Sequence, residues 1–310
     1  MDATVVVGID VSKDRLDVHV LPEGEAFAVA RDGKGLAELI ERLQPLGCTA
    51  VAVEATGGFE TVVAAGLGGA GLPIVVVNPA QVRAFATALG KRAKTDPIDA
   101  AVIARFVEAT RPQIRPLPDA ETQMLADLVA RRRQIVDMIG AERQRQKRAT
   151  AHAAKSIARL LAALERELAD VNKDIDDNVR RSPAWVADEN LMTSVPGIGS
   201  IVARTLLADL PELGTLDRRQ IAALAGLAPW TRQSGQWRGR SFIGGGRPQV
   251  RSALFVAAMV AGRHNPVLRA FRQQLLDRGK AKKTAIIAVA RKLLTILNAI
   301  IRDQKPWASA

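Results

Sequence analysis

In KRAKTDPIDAAVIARF (91–106), two carboxylates, Asp96 and Asp99, stand three apart around Pro97 at the mouth of an apolar helix. One use for such a pair is local. Asp96 is a good N-cap, Pro97 suits the first helical position, and Asp99 can reach back like the acid of a capping box. The other use is metal binding, since two carboxylates on one helical turn can hold a divalent cation. Alone, the stretch favours capping. Two more acids change the balance: Asp10 closes the β-branched run TVVVGID, and Glu54 closes the apolar run AVAVE, where no cap explains an acid. Carboxylates ending neighbouring buried strands lose hydration and repel one another unless a cation or strong donor offsets them. Two Mg²⁺ or Mn²⁺ ions about 4 Å apart would satisfy four carboxylates and suit phosphoryl transfer.

A second group lies far downstream. In APWTRQSGQWRGR, Ser234 stands before Gly235 amid Arg232, Arg238 and Arg240, with Trp230 and Trp237 nearby. A serine in a basic loop is most often a phosphate contact. As a nucleophile it needs cations to stabilise the developing charge and a base to take its proton. The cations are present, together with Arg247 and Arg251 beyond, but no histidine is near in sequence, so a base must come from elsewhere in the fold. SVPGIGS places Gly197 and Gly199 in a turn of helix–hairpin–helix type, whose backbone N–H groups can approach a phosphate. A plain interhelical turn fits the same residues. The chain has no tyrosine, which excludes a tyrosine-type strand transferase. Cys48 is its only cysteine and His19, His152 and His264 are scattered, so neither a disulfide nor a zinc-type cluster is expected.

The elements that position these groups follow from periodicity. TVVVGIDVSKDRLDVHVL reads as a β-hairpin, KGLAELIERLQPLG as a helix stopped at Pro45 and Gly47, and CTAVAVEAT and LPIVVVNP as buried strands. A helix near 80–90 and the one opened by Asp96 complete an α/β domain. After the Pro-rich RPQIRPLPDAE, a long helical stretch carries Ile157, Leu161, Leu164, Leu168, Val171 and Ile175 alternately four and three apart, an a/d seam. It fits a helical hairpin or coiled coil, packed within one chain or against a second copy. The expected division is 1–115, an α/β catalytic domain; 116–185, a helical linker; and 186–310, a basic, mainly α domain.

Charge divides the same way. Residues 1–110 hold 10 Lys/Arg against 14 Asp/Glu, whereas 231–295 hold 14 basic residues and one acid, Asp277. A stretch so depleted of acids points to a polyanion, and with a pI near 10.5 nucleic acid is the leading partner. The most apolar windows, 61–77 and 285–301, are broken by Gly and Pro or by Arg291, Lys292 and Asn298, so no membrane span is expected and the reading is a cytoplasmic, nucleoid-associated protein.

GIDVSKDRLDV, VEATGG, NPAQVRAFATALGKRAKTDPIDAAVIARF, PGIG, GLAPWTRQSG and GGGRPQVRSALFVAA occur in this order along nearly the whole chain. Together they closely resemble the DEDD insertion-sequence transposases of the IS110 family, the bridge-RNA-guided recombinases. The resemblance implies an RNase H-like (RuvC-like) N-terminal domain with Asp10, Glu54, Asp96 and Asp99 as a metal-binding tetrad. It implies a C-terminal domain whose Ser234 forms a phosphoserine bond with DNA, donor and target DNA as substrates, a guide RNA, and a homo-oligomer, dimer or tetramer. Phe255 departs from the tyrosine expected after SAL; packing is kept and a hydroxyl lost. A RuvC-like Holliday-junction endonuclease using water is the alternative. An actin-type ATPase fits poorly, since Val-Ser-Lys follows Asp10 and no second phosphate hairpin is found. A binder without catalysis is disfavoured because all four acids and the serine are present.

Overall fold

The computed structural model describes residues 4–308 apart from Thr56, residues 92–95 and 115–118, Arg232, Gln236 and Arg240; the side chains of Asp96, Pro97, Trp237 and Arg238 also lie outside the description. The chain divides into two compact units, Met1–Pro118 and Asp119–Ala310.

In the first unit, β1 (Val6–Val11), β2 (Arg15–Leu21) and β3 (Glu25–Ala30) form an antiparallel meander. Helix α1 (Gly33–Leu43) then leads to β4 (Ala50–Glu54), and α2 (Phe59–Gly69) to β5 (Ile74–Val77). β4 pairs parallel with β1, and β5 with β4, giving the order β3-β2-β1-β4-β5. Helices α3 (Pro79–Ala88) and α4 (Asp96–Thr110) follow. The expected hairpin, strands and helices are present; β3 was not anticipated.

Strand alternation sorts the sheet's side chains onto two covered faces. Val7, Ile9, Leu16, Val18, Val51 and Val53 pack with Leu39 and Leu43 of α1 and Val63 and Leu67 of α2. Val6, Ala52, Val75 and Val77 pack on the other face with Val82 of α3 and Val102, Ile103 and Val107 of α4. Burial on both sides explains why the central strands read as unbroken apolar runs. Gly8 lies on the α4 face, where a Cβ would stand 2.3 Å from the Ala100 carbonyl oxygen and 2.4 Å from the Ala104 nitrogen. Helix backbone therefore rests directly on strand backbone, which only glycine permits.

The second unit opens with a helical hairpin, α5 (Ala120–Gln146) and α6 (Ala151–Arg181), capped by Asp119 and Thr150. Its a/d seam packs within the chain: Leu161, Val171 and Ile175 are buried in one cluster with Leu125, Val129, Ile135 and Ile139, and Ile157, Leu164 and Leu168 line it. α7 (Pro183–Thr193) and α8 (Ser200–Asp209) flank the Pro196–Gly199 turn, and α9 (Arg218–Leu224) follows with an Asp217/Gln220 capping box. Two nested two-stranded ladders come next, β6 (Pro229–Trp230) with β9 (Phe242–Ile243), and β7 (Gln233–Ser234) with β8 (Trp237–Arg238). α10 (Pro248–His264), α11 (Pro266–Asp277) and α12 (Lys282–Asp303) complete the fold.

Among the described residues α12 alone is long and apolar enough to cross a membrane. Its Val289, Ala290, Leu293, Leu294 and Leu297 are wholly buried among Leu206, Ile221, Val250, Leu254 and Leu268, as in the core helix of a globular domain. Asn298 on the same helix is 4% exposed and bonded at both ends of its amide. It accepts from Gly214 N at 2.9 Å and donates to Leu216 O at 2.9 Å, tying the α8–α9 connection to the core.

Candidate active site

Strand register brings two of the expected acids together. β1 and β4 run parallel with Ile9 opposite Val53, so the next step sets Asp10 beside Glu54, on one face of strands about 4.8 Å apart. Both are half-buried on the face that carries Gly8, and each makes further interactions. Asp99 is half-buried on α4, next to the Ala100 that rests on Gly8. Asp96 begins the same helix, but its side chain, and with it the expected cap, lies outside the described residues. Among the described residues no group of three or more His, Cys, Asp or Glu is arranged to hold a metal ion. What is present fits a hard divalent cation, because the Asp10–Glu54 pair offers carboxylate oxygens without competing thiolates.

The structure adds an acid that sequence reading passed over. Asp17 on β2 is the register partner of Asp10, so Asp17, Asp10 and Glu54 form one row across β2, β1 and β4. Asp17 is 2% exposed. Its Oδ1 accepts from Arg15 at 2.6 Å, and its Oδ2 is buried with no hydrogen-bond partner. The signal was available: in GIDVSKDRLDV a two-strand hairpin can set the two aspartates Asp10 and Asp17 opposite each other. Along the same strand His19 is held below its ordinary value by burial, then by the positive charges of Arg105 and Lys91.

Ser234 occupies a different setting from the expected loop. It is the last paired residue of β7, opposite Trp237, and Gly235 at φ +55° starts the two-residue turn between them. The serine is exposed near the tip of a ribbon. Trp230 and Phe242 hold the ribbon's lower part, ring centroids 6.0 Å apart. Its base is fixed by glycine: a Cβ on Gly226 would stand 2.3 Å from Gly245 O, and one on Gly246 2.4 Å from Gly226 N.

Of the arginines expected at nucleic acid, some are engaged within the fold and others lie outside the described residues. Arg247 donates to both carboxylate oxygens of Glu212, at 2.5 and 2.7 Å, and to Asp209 O at 3.1 Å. Its guanidinium is thus committed inside the fold, where Glu212 is 13% exposed. Arg251 donates to Gly245 O at 2.6 Å, bracing the ribbon's base. Arg132 and Arg133 of the RRR group bond Asn172 at 2.8 Å and Asp209 at 3.4 Å. Arg232 and Arg240 lie outside the described residues, and Arg238 is placed only by its backbone pairing with Gln233. Gly197, at φ +107°, has a packing reason to be glycine, since a Cβ there would stand 2.6 Å from the Ala261 backbone of α10. Gly199 is the N-cap residue of α8 and has open space around it.

Comparison with known proteins gives a family. Residues 7–152 match a family described as "Transposase", the DEDD type of IS110, and residues 189–273 match the "Transposase IS116/IS110/IS902 family", together about three quarters of the chain. The "Pilin gene-inverting protein" of Moraxella lacunata is 29% identical over 97% of both chains, and that of Moraxella bovis equally so. The "Insertion element IS900 uncharacterized 42 kDa protein" of Mycobacterium paratuberculosis is 31% identical over 51% of this chain and 40% of its own.

Proposed function

Since the chain belongs to the IS110 family of DEDD transposases, and so is a DNA recombinase, we propose that it cuts and exchanges DNA strands through a phosphoserine intermediate under RNA guidance. The observation that carries this reading is the register that sets Asp10 beside Glu54, at the ends of two parallel strands. The sheet order β3-β2-β1-β4-β5, with an antiparallel meander and two parallel strands, supports an RNase H-like first domain. In this reading Asp10, Glu54, Asp96 and Asp99 hold Mg²⁺ or Mn²⁺. The bound cations supply charge neutralisation at the scissile phosphate.

Ser234 Oγ attacks phosphorus and gives up its proton to a base; the P–O bond to the displaced DNA hydroxyl breaks, and that hydroxyl leaves protonated. A second DNA hydroxyl then attacks the phosphoserine and restores the serine. Exposure of Ser234 near a ribbon tip supports reach toward a phosphate held elsewhere, in the same chain or in a second subunit. Functionally we divide the chain into the catalytic domain 1–115, the helical hairpin 116–185 and the serine-bearing domain 186–310. Arg232, Arg238, Arg240 and Arg251, with the Gly197–Gly199 turn, are assigned to nucleic acid. DNA as substrate fits an intracellular, nucleoid-associated protein, and the family reading adds that it works as a homo-oligomer. The inversion named for the Moraxella relatives fits such chemistry.

The test uses the purified protein with its co-purifying RNA, a supercoiled plasmid carrying the element's ends, and Mg²⁺. The expected result is one discrete RNA in stoichiometric amount, and a protein–DNA adduct on denaturing gels that Ser234→Ala and Asp10→Asn both abolish. Full strand exchange by Ser234→Ala would remove the phosphoserine step. Cleavage of four-way junctions without an adduct would establish instead a RuvC-like nuclease that uses water.

A further inference from the structure

Asp17 is a buried carboxylate with half of its bonding capacity unused. Three facts meet there. It stands directly across from Asp10 in the β1–β2 pairing, where like charges oppose each other at a distance of about 5 Å. It is 2% exposed, so water cannot screen that repulsion. Its Oδ1 is held by Arg15 at 2.6 Å while Oδ2 is buried without a donor. A fold does not place an unpartnered carboxylate oxygen beside a second carboxylate without some compensating positive charge or donor. Arg15 supplies one, but it engages the other oxygen and its side chain is 57% exposed.

We propose that Asp17 is a fifth acid of the cation site, with Oδ2 accepting a hydrogen bond from a water carried by the cation that Asp10 and Glu54 bind. This rests on the metal-site reading above and adds a residue to it. An outer position is favoured over direct ligation for two reasons. Among the described residues no three acids converge closely enough to share one ion. A small divalent cation also keeps several of its waters, and these need acceptors. Asp17 is then a positioning residue. It orients the hydrated ion, and Arg15 sets how much negative charge it offers.

The experiment is Mn²⁺ binding to the full chain, by calorimetry and by the loss of the free-ion electron-spin-resonance signal, with no DNA and no turnover. Asp17→Asn is expected to weaken Mn²⁺ binding about 10- to 100-fold, the usual effect of losing an outer-shell partner, while the metal-free melting temperature is unchanged or raised. Arg15→Gln, at an exposed side chain, is expected to tighten binding because it frees the second oxygen. Wild-type Mn²⁺ affinity in Asp17→Asn, alongside loss of binding in Asp10→Asn, overturns the role of Asp17 and leaves the site standing. Wild-type affinity in both overturns the site and this inference with it. Should Asp17→Asn fail to fold, unchanged affinity in Arg15→Gln overturns the inference on its own.

Discussion

Replacing Gly8 by alanine tests whether the contact between β1 and α4 positions the acids. The added methyl would stand 2.3 Å from Ala100 O and 2.4 Å from Ala104 N, whereas ordinary contact begins at 3.4 Å. Strand and helix must therefore part by about 1 Å, because neither neighbour is a side chain able to swing away. Overpacking of this kind costs about 1–3 kcal/mol, and two backbone atoms place Gly8→Ala toward the upper end. The same 1 Å shifts Asp99 relative to Asp10, and misplacement of that size lowers a rate on the order of 100-fold. The control is Gly66→Ala, whose new methyl meets only the Leu36 side chain, its Cδ2 at 2.5 Å. There the side chain can move, and alanine's helix preference offsets part of the cost. Urea unfolding and adduct formation measured on both variants decide the matter. A wild-type unfolding midpoint and wild-type cleavage in Gly8→Ala would refute the argument.

Three further outcomes are expected. Arg204 on α8 pairs with Asp176 of α6 and lies 2.9 Å from Glu189 of α7, a carboxylate 14% exposed. Arg204→Met should lower stability by about 2–3 kcal/mol by leaving that acid unpaired, whereas Arg302→Met, at a fully exposed pair, should leave the urea midpoint unmoved. Arg247→Gln should lower the unfolding midpoint while the salt slope of DNA binding stays as in wild type; a slope reduced by about 1 with unchanged stability would make Arg247 a phosphate contact after all. His19 is held below its ordinary 6.5, so the unfolded chain takes up this proton first and stability is lost as pH falls below 6.5. His19→Gln should flatten that part of a thermal-shift profile across pH.

Where one force dominated, the sequence was legible. β4 is a short apolar run buried on both faces, β5 an apolar run in which only Val76 is open, and the seam from Ile157 to Ile175 could pair only along one stripe. β3 escaped because EAFAVA buries only Val29 well and sits at the sheet's edge, where alternation is weak. Asp17 escaped for the opposite reason. Its alternation with Leu16 and Val18 suggested a solvent face, but α4 covers that face, which only the tertiary fold decides. Within the basic stretch 231–295, Arg247 is held by groups that lie outside it. The acid that holds Arg247, Glu212, precedes that window, as does the Asp209 carbonyl it also engages. Likewise, the glycine of GID was visible as a residue, but the helix residues that need it, Ala100 and Ala104, arrive more than 90 residues later.

The ribbon that carries Ser234 acts as a ruler. Ser234 lies four residues beyond Trp230, so the length of the arms that carry the two ladders sets how far from the C-terminal core a phosphate can be met. Its phase is fixed as well, because adding one residue to each arm would turn the hydroxyl to the opposite side, while adding two would preserve the side and lengthen the reach by about 7 Å. Insertions in the arms should therefore keep the hydroxyl on its side only in even steps matched on both strands, whereas any side chain at Gly226 or Gly246 would unseat the base.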